Sequence, residues 1–421
     1  MTRASSDEKI IVALDIGTAA VSALIAEILP DSQINILGAG YTPSKGMKKG
    51  GVSDLDLIVK SVQKALEQAE LMAGYEISEV FLSLSDKHIN SRIEKGMGIV
   101  TDQEVSQKDI DRVIYTAKSI KISDEEKILH VIPQEFTLDY QEGIKNPLGL
   151  SGVRMEVSVH LISCHTDMAK NIIKVAERCG IKVKQLVYSG LATSNAVITD
   201  DEREHGICVV DIGAGTMDLS IWTDGVLRHT EVFSYAGDSV TNDIAFAFGI
   251  TVNDAEEIKI RHGSAVHAST DKDDIINIPS IGTRTPQILR REMLSSVIEP
   301  RYTELMTLVN QVINVVQGKL YKNGLKHHLA SGIVLTGGAS KIDGLVECAE
   351  RVFNNQVRVC QPIGVHGLTD CVKEPYHSTV VGLLHYAKNS QIANGIGYSK
   401  VNHQSISGFI GRLRNWIKKE F

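Results

Sequence analysis

The sequence is short of several things that would each define a class of protein. It has six cysteines in 421 residues, and none stand in a Cys-x-x-Cys pair. Cys164, Cys179, Cys208, Cys348, Cys360 and Cys371 fall mostly in apolar or amphipathic runs. That pattern predicts reduced core cysteines rather than a disulfide scaffold or a zinc site. Fourteen histidines include the pair His327-His328, but no carboxylate or cysteine clusters with them. No apolar run reaches the ~18 residues of a membrane span. Residues 1–9 are polar and lack the apolar stretch of a signal peptide, so no export signal is expected. Basic excess is missing too: 51 acidic against 44 basic residues give a net charge of −7, which argues against a general nucleic-acid binder. What remains is an ordinary soluble composition, 43% hydrophobic, long enough for two to four subdomains with an ample core.

The chain is organised around residues 207–218, Ile-Cys-Val-Val-Asp-Ile-Gly-Ala-Gly-Thr-Met-Asp. An apolar strand ends on Asp211 and turns through Gly213-Ala214-Gly215-Thr216. A second strand, Leu219-Ser220-Ile221-Trp222, returns from the turn. Bare backbone N–H groups at such a tip can cradle a phosphate. Glycine is required there because a Cβ would block the approach and forbid the turn angles. Asp211 is placed to hold a hydrated Mg²⁺ beside the phosphates. This is not a dinucleotide fingerprint, because Asp218 occupies the third glycine position and a strand follows where a helix should. A lone Gly-Ala-Gly turn is equally compatible with a structural hairpin. A second copy carries the argument: residues 11–18 repeat strand, Asp15, Ile16, Gly17 and Thr18, then continue into a strand at 21–28. Two such hairpins imply two related halves with a ligand between them.

A third element, residues 333–340, is a strand ending in Gly337-Gly338-Ala339-Ser340 before a helix. Close backbone approach there suits a flat base or a ribose. In this order, the three segments resemble the actin/Hsp70/sugar-kinase superfamily of ATP-binding proteins, where they are two phosphate loops and an adenosine loop.

Along the chain, Ser53 followed by Asp56 resembles a capping box ahead of a helix with Leu55, Ile58, Val59, Val62, Leu66 and Ala69 on one face. Residues 84–163 have their own rhythm. Short strands are expected at 89–93, 98–100, 128–133, 135–140 and 153–163, with a helix after Ser106. They read as an inserted α+β subdomain, the alternative being an extension of the first half. Residues 200–204 read as a solvated charged turn. Residues 289–316 read as a long helical stretch that Pro300 breaks or restarts. Glu256 and Lys259 share a helix face at i,i+3, as a surface ion pair or as a pair beside a ligand. Arg284, Arg290, Arg291 and Arg301 gather around Pro300 and Tyr302, either as a solvated basic face or as a site for an acidic peptide. The helix at 378–386 has small residues suited to packing across the helix at 191–198.

From 388 to 407, Asn, Ser, Gln, Gly and Lys dominate without period, the composition of a disordered tether. Residues 408–421 then place Phe409, Ile410, Leu413, Trp416 and Ile417 on one helical face. Arg412, Arg414, Lys418 and Lys419 lie off it. That is the pattern of an interfacial membrane helix on anionic lipid, the alternative being a helix docked back on the domain.

The ATP fold, the insertion and the basic amphipathic terminus together resemble the FtsA family of bacterial cell division proteins. The likeness covers essentially the whole chain. It includes residues 130–135, 146–152, 209–218, 298–305 and 335–338, and it looks most like members from Gram-negative relatives of the enteric bacteria. The resemblance implies an α/β, actin-like, duplicated ribonuclease-H-like fold: two lobes around a nucleotide cleft. It implies a first core at 1–84 and 164–200, an insertion at 85–163, and a second core at 201–238 and 309–387 with a small lobe at 239–308. It further implies an ATP-binding protein that polymerises on the cytoplasmic face of the inner membrane at the division site. FtsZ would be anchored there by its C-terminal tail on the small lobe. Neighbouring copies and later division proteins such as FtsN would meet the insertion.

Asp15, Gly17 and Thr18 would face one side of the phosphates, and Asp211, Gly213, Gly215 and Thr216 the other. Gly237, Glu256, Lys259, Gly337, Gly338 and Ser340 would surround the adenosine, with Mg²⁺ held by Asp15 and Asp211 through water. Arg290, Arg291, Arg301 and Tyr302 are the candidate FtsZ contacts. One departure stands out. ATP-hydrolysing relatives carry Glu or Gln at the turn into the first crossing helix, where this chain reads Val187-Tyr188-Ser189-Gly190-Leu191. Weak or no hydrolysis follows, and ATP acts chiefly as glue in a scaffold. A metabolite kinase would need a catalytic Asp outside the phosphate loops, and none is evident. An Hsp70-like chaperone would carry a substrate domain after the ATPase. An MreB-like or pilus-associated homologue would leave the C-terminal tail unexplained.

Overall fold

The computed structural model describes residues 10–119, 123–267, 275–278 and 287–393. Chain order begins with β1 (Ile10–Ile16), β2 (Ala20–Ile28), β3 (Ile34–Pro43), a small hairpin of β4 (Met47–Lys48) and β5 (Gly51–Val52), α1 (Leu55–Ala73) and β6 (Glu79–Leu84). The inserted segment supplies β7 (Asn90–Ile99), α2 (Gln107–Lys118), β8 (Glu126–Leu138), β9 (Gln141–Ile144) and β10 (Arg154–His165). The first half resumes with α3 (Thr166–Arg178), β11 (Lys182–Tyr188), the crossing helix α4 (Ser189–Val197) and a short α5 (Asp200–His205). The second half runs β12 (Ile207–Ile212), β13 (Met217–Thr223), β14 (Val226–Phe233), α6 (Gly237–Phe248), α7 (Val252–His262), β15 (Ile275–Ile278), β16 (Gln287–Arg290) and α8 (Arg291–Lys322). It closes with β17 (Ile333–Thr336), α9 (Leu345–Phe353), β18 (Val357–Val359), β19 (Val365–Gly367) and α10 (Ser378–Ala393).

The two large sheets repeat one strand order. The first is β11-β6-β1-β2-β3, and the second is β18-β17-β12-β13-β14. In each, the strand bearing the Asp-Ile-Gly motif pairs antiparallel with its successor and parallel with a later strand. The duplication legible in the sequence is therefore a duplication of topology. The first sheet is extended at its edge by β19, which comes from late in the chain and pairs with β3. α10 likewise buries Val380, Val381, Leu383 and Leu384 in the core of the first sheet. Residues 309–387 thus divide between the two halves.

Local chemistry sets the helix ends. Asp54, not Ser53, caps α1: its Oδ1 accepts from the N–H groups of Asp56 and Leu57 at 3.1 and 3.0 Å. Gly74 ends that helix in the left-handed region, which glycine enters without a Cβ penalty. Ser106 and Asp109 form a reciprocal capping box on α2. Residues 200–204 are not a loose turn but lie in α5, capped by Thr199 and Glu202. There Arg203 lies over the Trp222 ring at 4.6 Å.

α8 passes straight through Pro300. An interior proline costs about 3 kcal/mol. Here Leu294, Ile298, Tyr302, Leu305, Met306 and Val309 form a buried stripe along the helix, and that packing outweighs the lost bond. Pro300 is on the exposed face, where water can satisfy the carbonyl it leaves unpaired. The short strands expected at 89–93 and 98–100 are one strand, β7, and those at 128–133 and 135–140 are one strand, β8, kinked by a bulge. The insertion packs α2 on its sheet around Ile110, Val113, Phe136, Val157 and Leu161, a core of its own. All six cysteines are free. α10 runs to Ala393, so residues 388–393 continue a helix where a tether was expected. Residues 394–421, with the whole amphipathic segment, lie outside the described residues. Among the described residues no helix is long and apolar enough to cross a membrane.

Candidate functional site

The two Asp-Ile-Gly hairpins face each other across a cleft of about 520 Å³ between the halves. Asp15, Gly17 and Thr18 line one wall; Asp211, Gly213, Gly215 and Thr216 line the other. Gly237, Glu256, Lys259, Gly337 and Gly338 also line the cleft, with Gly237 N–H on Gly213 O at 3.1 Å. Of the residues predicted to contact nucleotide, only Ser340 turns away. It is buried, and its hydroxyl donates to the Gly337 carbonyl at 2.7 Å, bracing the loop instead of reaching the cleft. Gly337 has φ +87°, and a Cβ there would collide with the Asp211 carboxylate. The second turn closes through Gly213 N–H on Thr216 O at 3.0 Å, and the first through Gly17 N–H on Ala20 O at 2.9 Å.

Three carboxylates converge at the phosphate end, one more than the sequence reading found. Asp15 accepts from Ser83 Oγ at 2.5 Å. Asp211 Oδ2 accepts from Thr193 Oγ1 on α4 at 2.7 Å and from Thr379 Oγ1 on α10 at 2.9 Å. Asp218, paired across the hairpin with Asp211, accepts from Ser85 Oγ at 2.7 Å, and its Oδ1 is buried without a partner. Burial raises all three. Asp15 rises to about 6, with the Asp211 charge adding to burial and Ser83 opposing it. Asp211 is raised by burial against its two threonines. Asp218 is raised well above the carboxylate range by burial and by Asp211. Oxygen donors held at high electrostatic cost fit a hard divalent cation. Among the described residues no three His, Cys, Asp or Glu side chains are arranged to ligate a metal ion directly.

Glu256 and Lys259 are not a surface ion pair. Lys259 is buried, and its ammonium donates to Glu256 Oε2 at 2.6 Å, Thr241 Oγ1 at 2.8 Å and Gly237 O at 3.2 Å. Tyr41 from β3 and Tyr376 face one another at the rim, ring centroids 5.4 Å apart. The α4–α10 crossing behind Asp211 is close: a Cβ on Gly382 would collide with the Ala192 carbonyl. At the turn 187–191, Tyr188 is buried and Ser189 lines the cleft, so no carboxylate or amide from that turn reaches it.

The basic cluster does not form as one surface. Tyr302 is wholly buried, its hydroxyl donating to Ala339 O at 2.8 Å, and it lines the cleft rather than a docking face. Arg301 is engaged by Asp243 at 2.5 and 3.0 Å and by Glu304 at 2.5 Å. Arg291 donates to His262 O at 2.8 Å and pairs with Asp343 at 3.1 Å. Arg290 is exposed, and Arg284 lies outside the described residues. Beside them runs an open groove along α8, lined by Ser296, Glu299, Pro300, Thr303 and Glu304.

Sequence reading missed Ser83, Ser85, Thr193, Thr379 and Asp218. The duplication was a usable signal for the two serines. β6 stands to β1 as β17 stands to β12. Ser83 and Ser85 therefore sit where Thr336 and Gly338 sit in the other half.

A duplicated sheet, paired phosphate-type turns and crossing helices behind them define the actin-like class. Solved structures agree on the fold. The PilM-PilN type IV pilus biogenesis complex matches with a TM-score of 0.63 at 16% identity, covering 90% of this chain and 98% of that one. MreB5 of Spiroplasma citri bound to ADP matches at 0.54 and 14% identity, covering 92% and 99%. Sequence comparison narrows the class. A family model described as cell division protein FtsA matches residues 208–382, and one described as the SHS2 domain inserted in FtsA matches residues 86–163. Cell division protein FtsA of Escherichia coli K12 is 56% identical over 417 residues, covering 99% of both chains. That of Pseudomonas aeruginosa PAO1 is 42% identical over 418 residues, covering 98% of both. The chain belongs to the FtsA family of cell division proteins.

Proposed function

We propose that this protein binds Mg²⁺–ATP in the cleft and acts as a membrane-bound scaffold of the division ring. The observation that carries the reading is the apposition of two glycine turns, each with a buried Asp at its base, across one cavity. Solved MreB5 chains of the same fold carry ADP and AMPPNP, which supports a nucleotide there. Turn N–H groups from both halves would hold the phosphates, and Asp15 and Asp211 the hydrated cation. The pair of buried Lys259 and half-buried Glu256, with Gly337-Gly338, would surround the adenosine. A bound nucleotide then stabilises the closed pair of halves by mass action. Hydrolysis is marginal, since Ser189 stands where a water-orienting Glu or Gln is needed.

The other parts of the scaffold follow from the family and from charge. The small lobe, 239–308, receives the acidic tail of FtsZ, with the exposed Arg290 as the contact, since Arg291 is engaged by Asp343 and Arg301 by Asp243 and Glu304. The insertion, 85–163, meets neighbouring copies and later division proteins such as FtsN. Residues 408–421 bind anionic lipid at the cytoplasmic face of the inner membrane. Each of the four basic residues there adds about 1 kcal/mol near anionic headgroups. The Phe409, Ile410, Leu413, Trp416 and Ile417 face adds apolar burial. A polymer of many tails then holds by avidity where one tail binds reversibly. Electron microscopy of the protein with ATP on anionic lipid, with and without residues 408–421, is the test. Lipid-bound filaments should form only with the tail and only with ATP. Equal decoration without the tail would place the anchor elsewhere. Phosphorylation of a sugar at rates on the order of 1–1000 per second would instead support a kinase.

A further inference from the structure

The hairpin β4–β5 was not singled out by sequence, yet it reaches the phosphate end of the cleft. Its two-residue tip, Lys49-Gly50, has φ +49° and +79°, the left-handed pair of a type I′ turn. Asn or Gly usually leads such a turn, so a lysine held there is notable. The tip abuts both phosphate-type turns. Gly50 N–H donates to Thr18 Oγ1 at 3.1 Å. A Cβ on Gly215 would sit 2.9 Å from the Lys49 Cα, and one on Gly50 3.0 Å from the Thr216 methyl. The exposed Lys49 ammonium lies over the ring of Tyr235, 5.3 Å from its centroid, on the opposite half. Tyr235 is two residues before Gly237 in the loop leading from β14 to α6.

The charge balance of the cleft makes this position matter. Its phosphate end is lined by Asp15, Asp211 and Asp218, while the lysines that line the cleft, Lys259 and Lys341, are already paired with Glu256 and Glu374. Burial holds Asp218 neutral, but a triphosphate brought against Asp15 and Asp211 still gains from a positive charge beside that of the divalent cation. Lys49 carries its ammonium on a flexible four-carbon stem from a backbone fixed against both turns. We infer that Lys49 is a ligand for the terminal phosphate of a nucleoside triphosphate, and that the Tyr235 ring is where its ammonium rests when no such phosphate is in reach. This rests on the reading that the cleft takes ATP. The terminal phosphate is the group that a diphosphate lacks. Lys49 would then distinguish triphosphate from diphosphate and tie the first half to the nucleotide held by the second.

The test uses the full chain and titrates Mg-ATP and Mg-ADP by calorimetry. Lys49→Gln keeps the stem and removes the charge, and Lys49→Arg keeps the charge. Lys49→Gln should weaken ATP at least tenfold and ADP less than threefold, and Lys49→Arg should hold the ATP-to-ADP ratio near that of the unmodified protein. Tyr235→Ala should leave ATP affinity unchanged or higher, since it removes only the resting place. An unchanged ratio in Lys49→Gln, or equal losses for both nucleotides, overturns the role of Lys49 while the cleft remains an ATP site. No ATP binding by the unmodified protein overturns both.

Discussion

Removing the hydroxyl of Thr193 tests the centre of the site. Thr193 is wholly buried on α4, and its Oγ1 donates to Asp211 Oδ2 at 2.7 Å; Thr379, from α10, donates to the same oxygen at 2.9 Å. The two hydroxyls also meet each other at 3.0 Å. One carboxylate oxygen thus ties both crossing helices together. Thr193→Val keeps the shape and deletes the donor. A hydrogen bond to a charged group contributes about 1.5–3 kcal/mol, so unfolding free energy should fall by that order. Thr193→Val with Thr379→Val should cost less than the sum, because the donors share one acceptor. Burial already raises the Asp211 carboxyl and the two hydroxyls oppose it, so losing one raises it further. The variant's Asp211 is then harder to ionise and serves a cation less readily. Affinity for Mg-ATP should fall, and should recover as pH is raised. Urea unfolding and calorimetry at two pH values read both effects, with Thr193→Ser as the control that restores the donor. Stability and affinity both equal to the unmodified protein at neutral pH would refute the reasoning.

Acid sensitivity should depend on the insertion's histidines. Burial lowers His130 and His160 from 6.5 to about 3. Unfolded chains bind those protons first, so their contribution is present above about pH 6.5 and is lost as pH falls toward 3. Asp15, raised to about 6, contributes in the opposite sense between 3.8 and 6, so the comparison of variants is what decides. His130→Gln should show a shallower loss of urea midpoint from pH 6.5 to 4, and an equal slope would contradict this. On the insertion's edge strand β7, Ile93, Met97 and Ile99 project outward, with Ile99 70% exposed. Ile99→Glu should block filaments on lipid while Mg-ATP binding persists; normal filaments by electron microscopy would remove that row from the assembly surface.

The parts of the fold legible in the sequence were those written twice or written in glycine. Asp15 and Asp211 stand one residue from the ends of corresponding strands, and Gly337 is required because its neighbour is a carboxylate. The opposite case is Thr193. A threonine inside a helix of small buried residues gives no local sign that its hydroxyl is spoken for by Asp211, eighteen positions away. Pro300 misled for the reverse reason. Its intrinsic cost is real, but tertiary packing of the surrounding helix exceeds it. Tyr302 next to Arg301 illustrates the limit of composition: neighbours in sequence on α8 point to opposite environments, one to the cleft and one to Asp243. Lys49 was invisible because a short hairpin with no apolar period carries no sign of where its tip will lie.

The insertion has its own core, yet it is not free of the halves it interrupts. His130 Nε2, on β8, accepts the Tyr188 N–H at 2.9 Å, one residue before Ser189 enters the cleft wall. That acceptor must be neutral, and burial keeps it so. Toward the second half, Gln134 Nε2 donates to Leu227 O at 2.7 Å, Ser91 Oγ to Thr230 O at 2.8 Å, and His160 Nε2 meets Thr230 Oγ1 at 3.2 Å. The insertion therefore bridges the two halves through directional polar bonds, which break when the halves rotate, whereas apolar contacts tolerate sliding. Opening the cleft must strain or release them, and a surface that holds the insertion in place resists that opening. The proposed assembly through the insertion and the proposed retention of nucleotide would thereby be coupled through His130 and Tyr188. Deleting residues 85–163 would leave the Tyr188 N–H and the β14 edge without their partners, so such a deletion would disturb the cleft as well as the assembly surface. Substitution at Ile99 separates the two effects, because it lies at the other end of β7 from the bridging Ser91.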